Sequence, residues 1–332
     1  MSVLARTLLA LIGIGVVVGI SVWVARYQPF GPGGPVGTPV ATDAAAAAGW
    51  AAADDAPFAR LEMATAVHDG RFWLAGGFAP DGSVSDALAV FDPDAGEWTD
   101  GPPLLEAIHH AALASDGERL FLVGGYVGAT GQPTAAVRVL DPASGAWADG
   151  PALPQARAAG ALAHDGSRLV YGGGVGPGGV RGEVFVLEGD AWRQIGDLTR
   201  PREHLAAATD GTGRVWFMGG RQGGLDRNVG DVELVEGDAV TLVASITPRG
   251  GVAAFWFPDI GACLTGGEAP AGALTVVECV DASGRITALP SMLQRRHGHG
   301  AGVLEGVAYA LLGGDVPGLD ASATVELLRL GN

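Results

Sequence analysis

Six short apolar runs, each closed by a pair of glycines, recur along most of this 332-residue chain. They are FWLAGG (72–77), LFLVGG (120–125), LVYGGG (169–174), VWFMGG (215–220), ACLTGG (262–267) and YALLGG (309–314). The second glycines fall at 77, 125, 174, 220, 267 and 314, in steps of 48, 49, 46, 47 and 47 residues. A chain that repeats itself at this period copies one supersecondary unit. Runs this short, rich in aromatic and branched residues, read as strands.

Two further landmarks complete the unit. Asp69-Gly70, Asp116-Gly117, Asp165-Gly166 and Asp210-Gly211 precede the runs as hairpin turn signals, with Asp259-Ile260-Gly261 and Glu305-Gly306 as looser versions. After the runs, Phe91-Asp92-Pro93, Leu140-Asp141-Pro142, Leu187-Glu188-Gly189, Val235-Glu236-Gly237 and Val280-Asp281 end another strand. A large apolar residue then opens a fourth: Trp98, Trp147, Trp192, Val240 and Ile286. Each unit therefore holds four antiparallel strands, A to D, which is the pattern of a β-propeller blade. The sixth unit stops after strand C, at Asn332, while Gly49-Trp50 precedes Arg60 as Trp147 precedes Arg157. The segment around Trp50 is thus expected to supply the sixth blade's outer strand, closing the ring and hiding two sheet edges.

The double glycine, the acidic residue after strand C, the Trp of strand D and the Arg before strand A resemble kelch repeats over about residues 50–330. That resemblance implies an all-β, six-bladed kelch-type propeller spanning 50–332, and leaves function open, because kelch propellers serve as enzymes and as binding platforms.

The remaining sequence bounds the setting. Residues 7–25 are uncharged and apolar, nearly enough to span a bilayer of about 30 Å, with Arg6 and Arg26 on either side. The expected order is a short tail (1–6), a transmembrane signal anchor (7–25), a Gly/Pro/Ala-rich linker (26–49) and the propeller. A cleaved signal peptide is the competing reading, opposed by the bulky Trp23 of Trp23-Val24-Ala25, and either places the propeller outside the cytoplasmic membrane. A net charge of −16, with arginine as its sole Lys/Arg-type cation, opposes nucleic-acid binding. The two cysteines, Cys263 and Cys279, exclude a disulfide scaffold or Cys-rich zinc module and are left as either a cross-strand pair or buried thiols.

Residues just before strand A surround the channel mouth, and there stand Arg60, Ile108, Arg157, Arg202, Arg249 and Arg296, with Arg200 and Arg295 nearby. Guanidinium groups gathered on an acidic protein suggest a ligand-binding ring for carboxylates, joined by His110 and His297. The alternative is that each Arg pairs with a carboxylate of a neighbouring blade, from Asp54, Asp55, Glu62, Glu106, Asp149, Asp197 or Glu203. His109, His204 and His299 crowd the same region, yet six inner strands are expected to hold these side chains apart, so no metal and no cofactor is expected. His68 and His164 read as solvated turn residues.

Two functions follow. One is a membrane-tethered module that binds a protein segment or an acidic glycan over the Arg-rich mouth. The other is an exported sugar epimerase or mutarotase, since six-bladed kelch proteins acting on sialic acid in the bacterial periplasm are similar in blade number, size and export. Under that reading Glu203 with His204 or His299 moves a proton.

Overall fold

The computed structural model describes residues 49–129 and 131–330. The expected tail, anchor and all but the end of the linker lie outside the described residues. Among the described residues no helix is long and apolar enough to cross a membrane.

Six four-stranded antiparallel sheets form six blades. Blade 1 comprises strands A (Ala64–His68), B (Arg71–Ala75), C (Leu88–Asp92) and D (Glu97–Asp100). Blades 2 to 5 repeat the order and begin with strands A at Ala112–Ser115, Ala161–His164, Ala206–Thr209 and Ala253–Phe257. Blade 6 takes strands A to C from Gly300–Leu304, Val307–Leu311 and Val325–Arg329, and its strand D from Trp50–Ala52, with Trp50 opposite Leu328. The expected closure is therefore present. The six A strands touch in sequence around the axis, and the sixth meets the first.

Burial explains why each strand has its composition. Strand B lies between neighbouring blades and is covered on both faces, so Leu120–Val123 and Gly261–Thr265 are buried throughout. Strand D lies at the rim, and Glu97–Asp100 is mostly exposed. Its Trp still points inward and ties two blades: Trp192 Nε1 donates to Pro151 O at 2.8 Å, and Trp50 Nε1 to Pro290 O at 2.9 Å. The core is accordingly six apolar wedges, one per seam, as where Phe72, Phe91 and Tyr309 join blade 1 to blade 6.

The glycine pair serves the same seams. Gly267 N–H donates to Arg296 O of the next blade at 2.7 Å, and Gly77, Gly125, Gly174, Gly220 and Gly313 make the equivalent bond. At Gly266, with φ of 57°, an added Cβ would lie 2.5 Å from Arg296 O. A side chain at Gly266 would have to displace this backbone, so glycine is favoured. The sixth pair corrects the sequence register: Leu312 (φ 60°) and Gly313 (φ 91°) take the two positions, not Gly313 and Gly314.

Cys263 and Cys279 face each other on strands B and C of blade 5 and form a buried disulfide, Cα to Cα 3.9 Å. This resolves the alternative left by the sequence in favour of the cross-strand pair.

Candidate functional site

The arginines before strand A do not form the expected ring of ligand-facing groups. Arg157, Arg202, Arg249 and Arg296 are at most 1% exposed, and each pairs within its own blade: with Glu183, Glu233, Glu278 and Glu326 respectively. Arg249 shows the design. Its Nη1 donates to Glu278 Oε2 at 2.5 Å and to Thr247 O at 2.8 Å, and its Nη2 to Leu264 O at 3.1 Å. Desolvation at such a site is severe, and a buried guanidinium persists only when paired and hydrogen-bonded. Blade 2 confirms the reasoning from the other side. There Ile108 replaces the Arg, Arg138 stands where the Glu would be, and Arg138 turns to Glu106 and Asp149. Blade 2 thus lacks both partners, and Arg60 of blade 1, whose strand C has no glutamate, stays only half-buried.

Two residues beyond each of these positions the chain crosses the axis. Glu62, His110, Ala159, His204, Gly251 and Gly298 form a closed ring in which each N–H donates to the carbonyl of the preceding blade, at 2.7 to 3.0 Å. All six have φ between 52° and 64°. Left-handed backbone favours glycine and costs other residues about 1–2 kcal/mol. Gly251 and Gly298 show that the ring needs no side chain. Glu62, His110 and His204 nevertheless occupy three of its places, and their side chains converge on the axis.

Their contacts form one partly buried network. His110 Nε2 lies 2.9 Å from His204 Nε2 and 3.3 Å from Glu62 Oε2. On the far side of each ring, His110 Nδ1 lies 2.6 Å from His109 Nδ1, and His204 Nδ1 contacts the Glu203 carboxylate. Arg221, the residue after the fourth glycine pair, donates from Nε to Glu203 Oε1 at 3.0 Å and from Nη2 to His204 Nε2 at 3.0 Å, and it also pairs with Glu268. Tyr126 stacks on His109, and Phe78 packs against the same ring. Below them lies a cavity of about 90 Å³, bordered by the ring and by His299. That is room for a few water molecules.

The burial sets the protonation states. It lowers His110 to about 3, assisted by Arg221 and His297, and lowers His109 to about 4, assisted by His110. It holds His204 well below the ordinary histidine value, with Arg221 the next cause. Burial raises the Glu62 carboxyl despite the opposing His297 and Arg221. At neutral pH the imidazoles are uncharged, with lone pairs available to ligate or to accept protons.

The Kelch motif matches residues 107–154, the stretch that holds all four strands of blade 2. The chain is a six-bladed β-propeller that carries a Kelch motif. Among solved structures, that of YjhT is similar to this propeller with a TM-score of 0.71 over 84% of this chain and 97% of that one. The sequences share 14% identity, so the likeness concerns fold. No curated protein matches the chain.

The remaining sequence candidates are scattered over the propeller. Arg60 is half-buried over the Phe58 ring and donates to Gly76 O, while Arg295 is exposed with no ion pair among the described residues. Arg200 pairs with Asp231. His297 is buried, with its two nitrogens 3.0 and 3.1 Å from Gly314 O and Gly318 O, so it fastens the blade 6 B–C loop. His299 is buried with Nε2 on Thr265 Oγ1, and its Nδ1 has no partner. His68, expected in solvent, is buried against Ser115 Oγ. The expectation that inner strands keep the histidines apart fails because His110 and His204 precede the strands, on the ring, where the axis is narrowest. Tyr126, Arg221 and Glu268 were missed. The position after the second glycine, which reads Phe78, Tyr126, Val175, Arg221, Glu268 along these repeats, varies directly beside a fixed glycine, and that variation is the signal the sequence carries.

Proposed function

We propose that this propeller binds a hydroxyl-rich sugar or glycan over the axial cluster, at the end of the channel bearing the B–C loops. The observation that carries this reading is the ring itself: Glu62, His110 and His204 hold a conformation in which glycine serves equally well, and they do so where their polar atoms meet. Strain of this kind, retained beside buried ionisable groups, is typical of working sites. Carboxylates and imidazoles suit hydroxyl groups, and Tyr126, only partly buried, offers a sugar ring apolar cover. With Arg157, Arg202, Arg249 and Arg296 held in buried pairs, the mouth favours a neutral polyol over the carboxylated ligand suggested by the sequence, and a glycan over a protein segment.

The setting expected from the sequence belongs to the same proposal: a propeller held by residues 7–25 on the outer side of a membrane. The Cys263–Cys279 disulfide supports an oxidising compartment.

A second reading, a sugar epimerase or mutarotase, is favoured by the continuous contacts from His109 through His110 and His204 to Glu203. Such a chain moves a proton between ring oxygen and anomeric hydroxyl without solvent. Saturation-transfer NMR of the purified protein against a panel of neutral and acidic monosaccharides tests both readings. Binding lost in Glu203→Gln and Tyr126→Ala, but kept in Arg249→Met, is expected. Accelerated anomer exchange adds the enzymatic reading, and absence of any sugar contact removes both.

A further inference from the structure

We propose that Glu62, His110 and His204 bind one divalent transition-metal ion on the propeller axis, through the Glu62 carboxylate and the two Nε2 atoms. The inference deepens the reading of the axial cluster as the functional site, because it names what that cluster holds. Three ligand atoms lie within 4.8 Å of one another, and His110 Nε2 stands 2.9 Å from His204 Nε2 and 3.3 Å from Glu62 Oε2. Metal–ligand bonds of about 2.1 Å separate neighbouring ligand atoms by about 3.0 Å at right angles and about 3.4 Å at tetrahedral angles. The first two separations already have that scale. Two imidazoles and one carboxylate on one face, with other positions open, are a known divalent-metal arrangement. Here the open positions face the 90 Å³ cavity.

The surroundings are those of ligating histidines. A metal-bound imidazole donates its other N–H to a fixed acceptor. His204 Nδ1 contacts the Glu203 carboxylate, which Arg221 in turn fixes at 3.0 Å. His110 Nδ1 has His109 Nδ1 at 2.6 Å. Both rings are thereby oriented with Nε2 toward the axis. Two contacts compete: Arg221 Nη2 lies 3.0 Å from His204 Nε2, and the 2.9 Å contact between the two Nε2 atoms needs a proton on one of them. The metal displaces the guanidinium donor and that proton, which leaves to solvent, and the guanidinium stays anchored on Glu203 and Glu268. The backbone supplies the last reason, since each ligand sits where glycine would relieve strain.

The test uses metal alone, so its outcome is independent of any sugar. Chelator-stripped protein is titrated with Zn(II) by calorimetry and with Co(II) by visible absorption. One Zn(II) per chain and ligand-field bands from Co(II) are expected. Glu62→Gly and His204→Gly, which the ring accepts as it accepts Gly251 and Gly298, should retain the denaturation midpoint and lose stoichiometric binding. Glu203→Gln should weaken Zn(II) binding about 10- to 100-fold through the orientation of His204. No binding by folded wild-type protein, or binding unchanged in both glycine variants, overturns the assignment. Metal binding without sugar binding would overturn the glycan reading and leave this one intact.

Discussion

Glu278→Leu should unfold blade 5 more readily than almost any other single change. The substitution leaves the Arg249 guanidinium, 0% exposed, without its countercharge, and leaves Thr247 N–H and Oγ1 without the acceptors they have at 3.2 and 3.1 Å. Removing one partner of a buried pair costs about 3–5 kcal/mol. Arg249→Met should cost a similar amount by stranding the carboxylate. Replacing both residues removes the buried charges together. What remains is the loss of partners for Thr247 and for the carbonyls of Thr247 and Leu264, at about 1 kcal/mol per lost bond. The double variant should therefore cost about 3–4 kcal/mol, where simple addition requires about 8, a coupling of roughly 4 kcal/mol. Urea denaturation of the four proteins measures this cycle. Additivity within about 0.5 kcal/mol would refute the pairing and return Arg249 to the pool of ligand-facing groups. Blade 2 is the natural counterpart of the double variant, since Ile108 and Arg138 do without the pair.

Four other outcomes are expected. His299 stays neutral when folded because burial and the nearby Arg296 and His297 depress its pKa, whereas the unfolded residue protonates near pH 6.5. The unfolded state then binds the extra proton, so stability is lost as pH falls below that value, by up to about 1.4 kcal/mol per pH unit, and denaturant titrations of His299→Gln should show a shallower decline. Trp50→Ala removes a buried anchor and the Pro290 bond, which should cost about 3–5 kcal/mol and, by loosening strand D from Val325–Arg329, promote aggregation seen by light scattering. Reducing the Cys263–Cys279 bridge, which closes a 16-residue separation, should lower stability by about 3 kcal/mol in calorimetry with and without reductant. Leu312→Gly tests the sixth glycine position: relief of φ 60° favours it by about 1–2 kcal/mol, but Leu312 is a fully buried core side chain whose loss costs more, so a net destabilisation is expected.

What the sequence made legible was whatever six-fold repetition amplifies. Gly-Gly, Asp-Gly and Trp recur because most seams make the same demands: a close backbone approach that favours glycine, a tight hairpin, and an indole bridging two blades. The same repetition misled the search for a site. Arginine recurs before strand A because four blades hold its guanidinium inside, bonded to a strand C glutamate, and a feature built into most copies cannot mark the one place where a ligand binds. The glutamates escaped notice because Glu278 and Glu326 lie about 30 residues from their arginines, a distance that only the blade's folding closes. Function in a repeat protein belongs where copies differ at a cost. Glu62, His110 and His204 differ from Gly251 and Gly298 at the expense of backbone strain and desolvation, yet no local pattern shows that residues 48 and 94 positions apart share an axis. That fact comes from ring closure, which brings position 62 of the first blade against position 298 of the last.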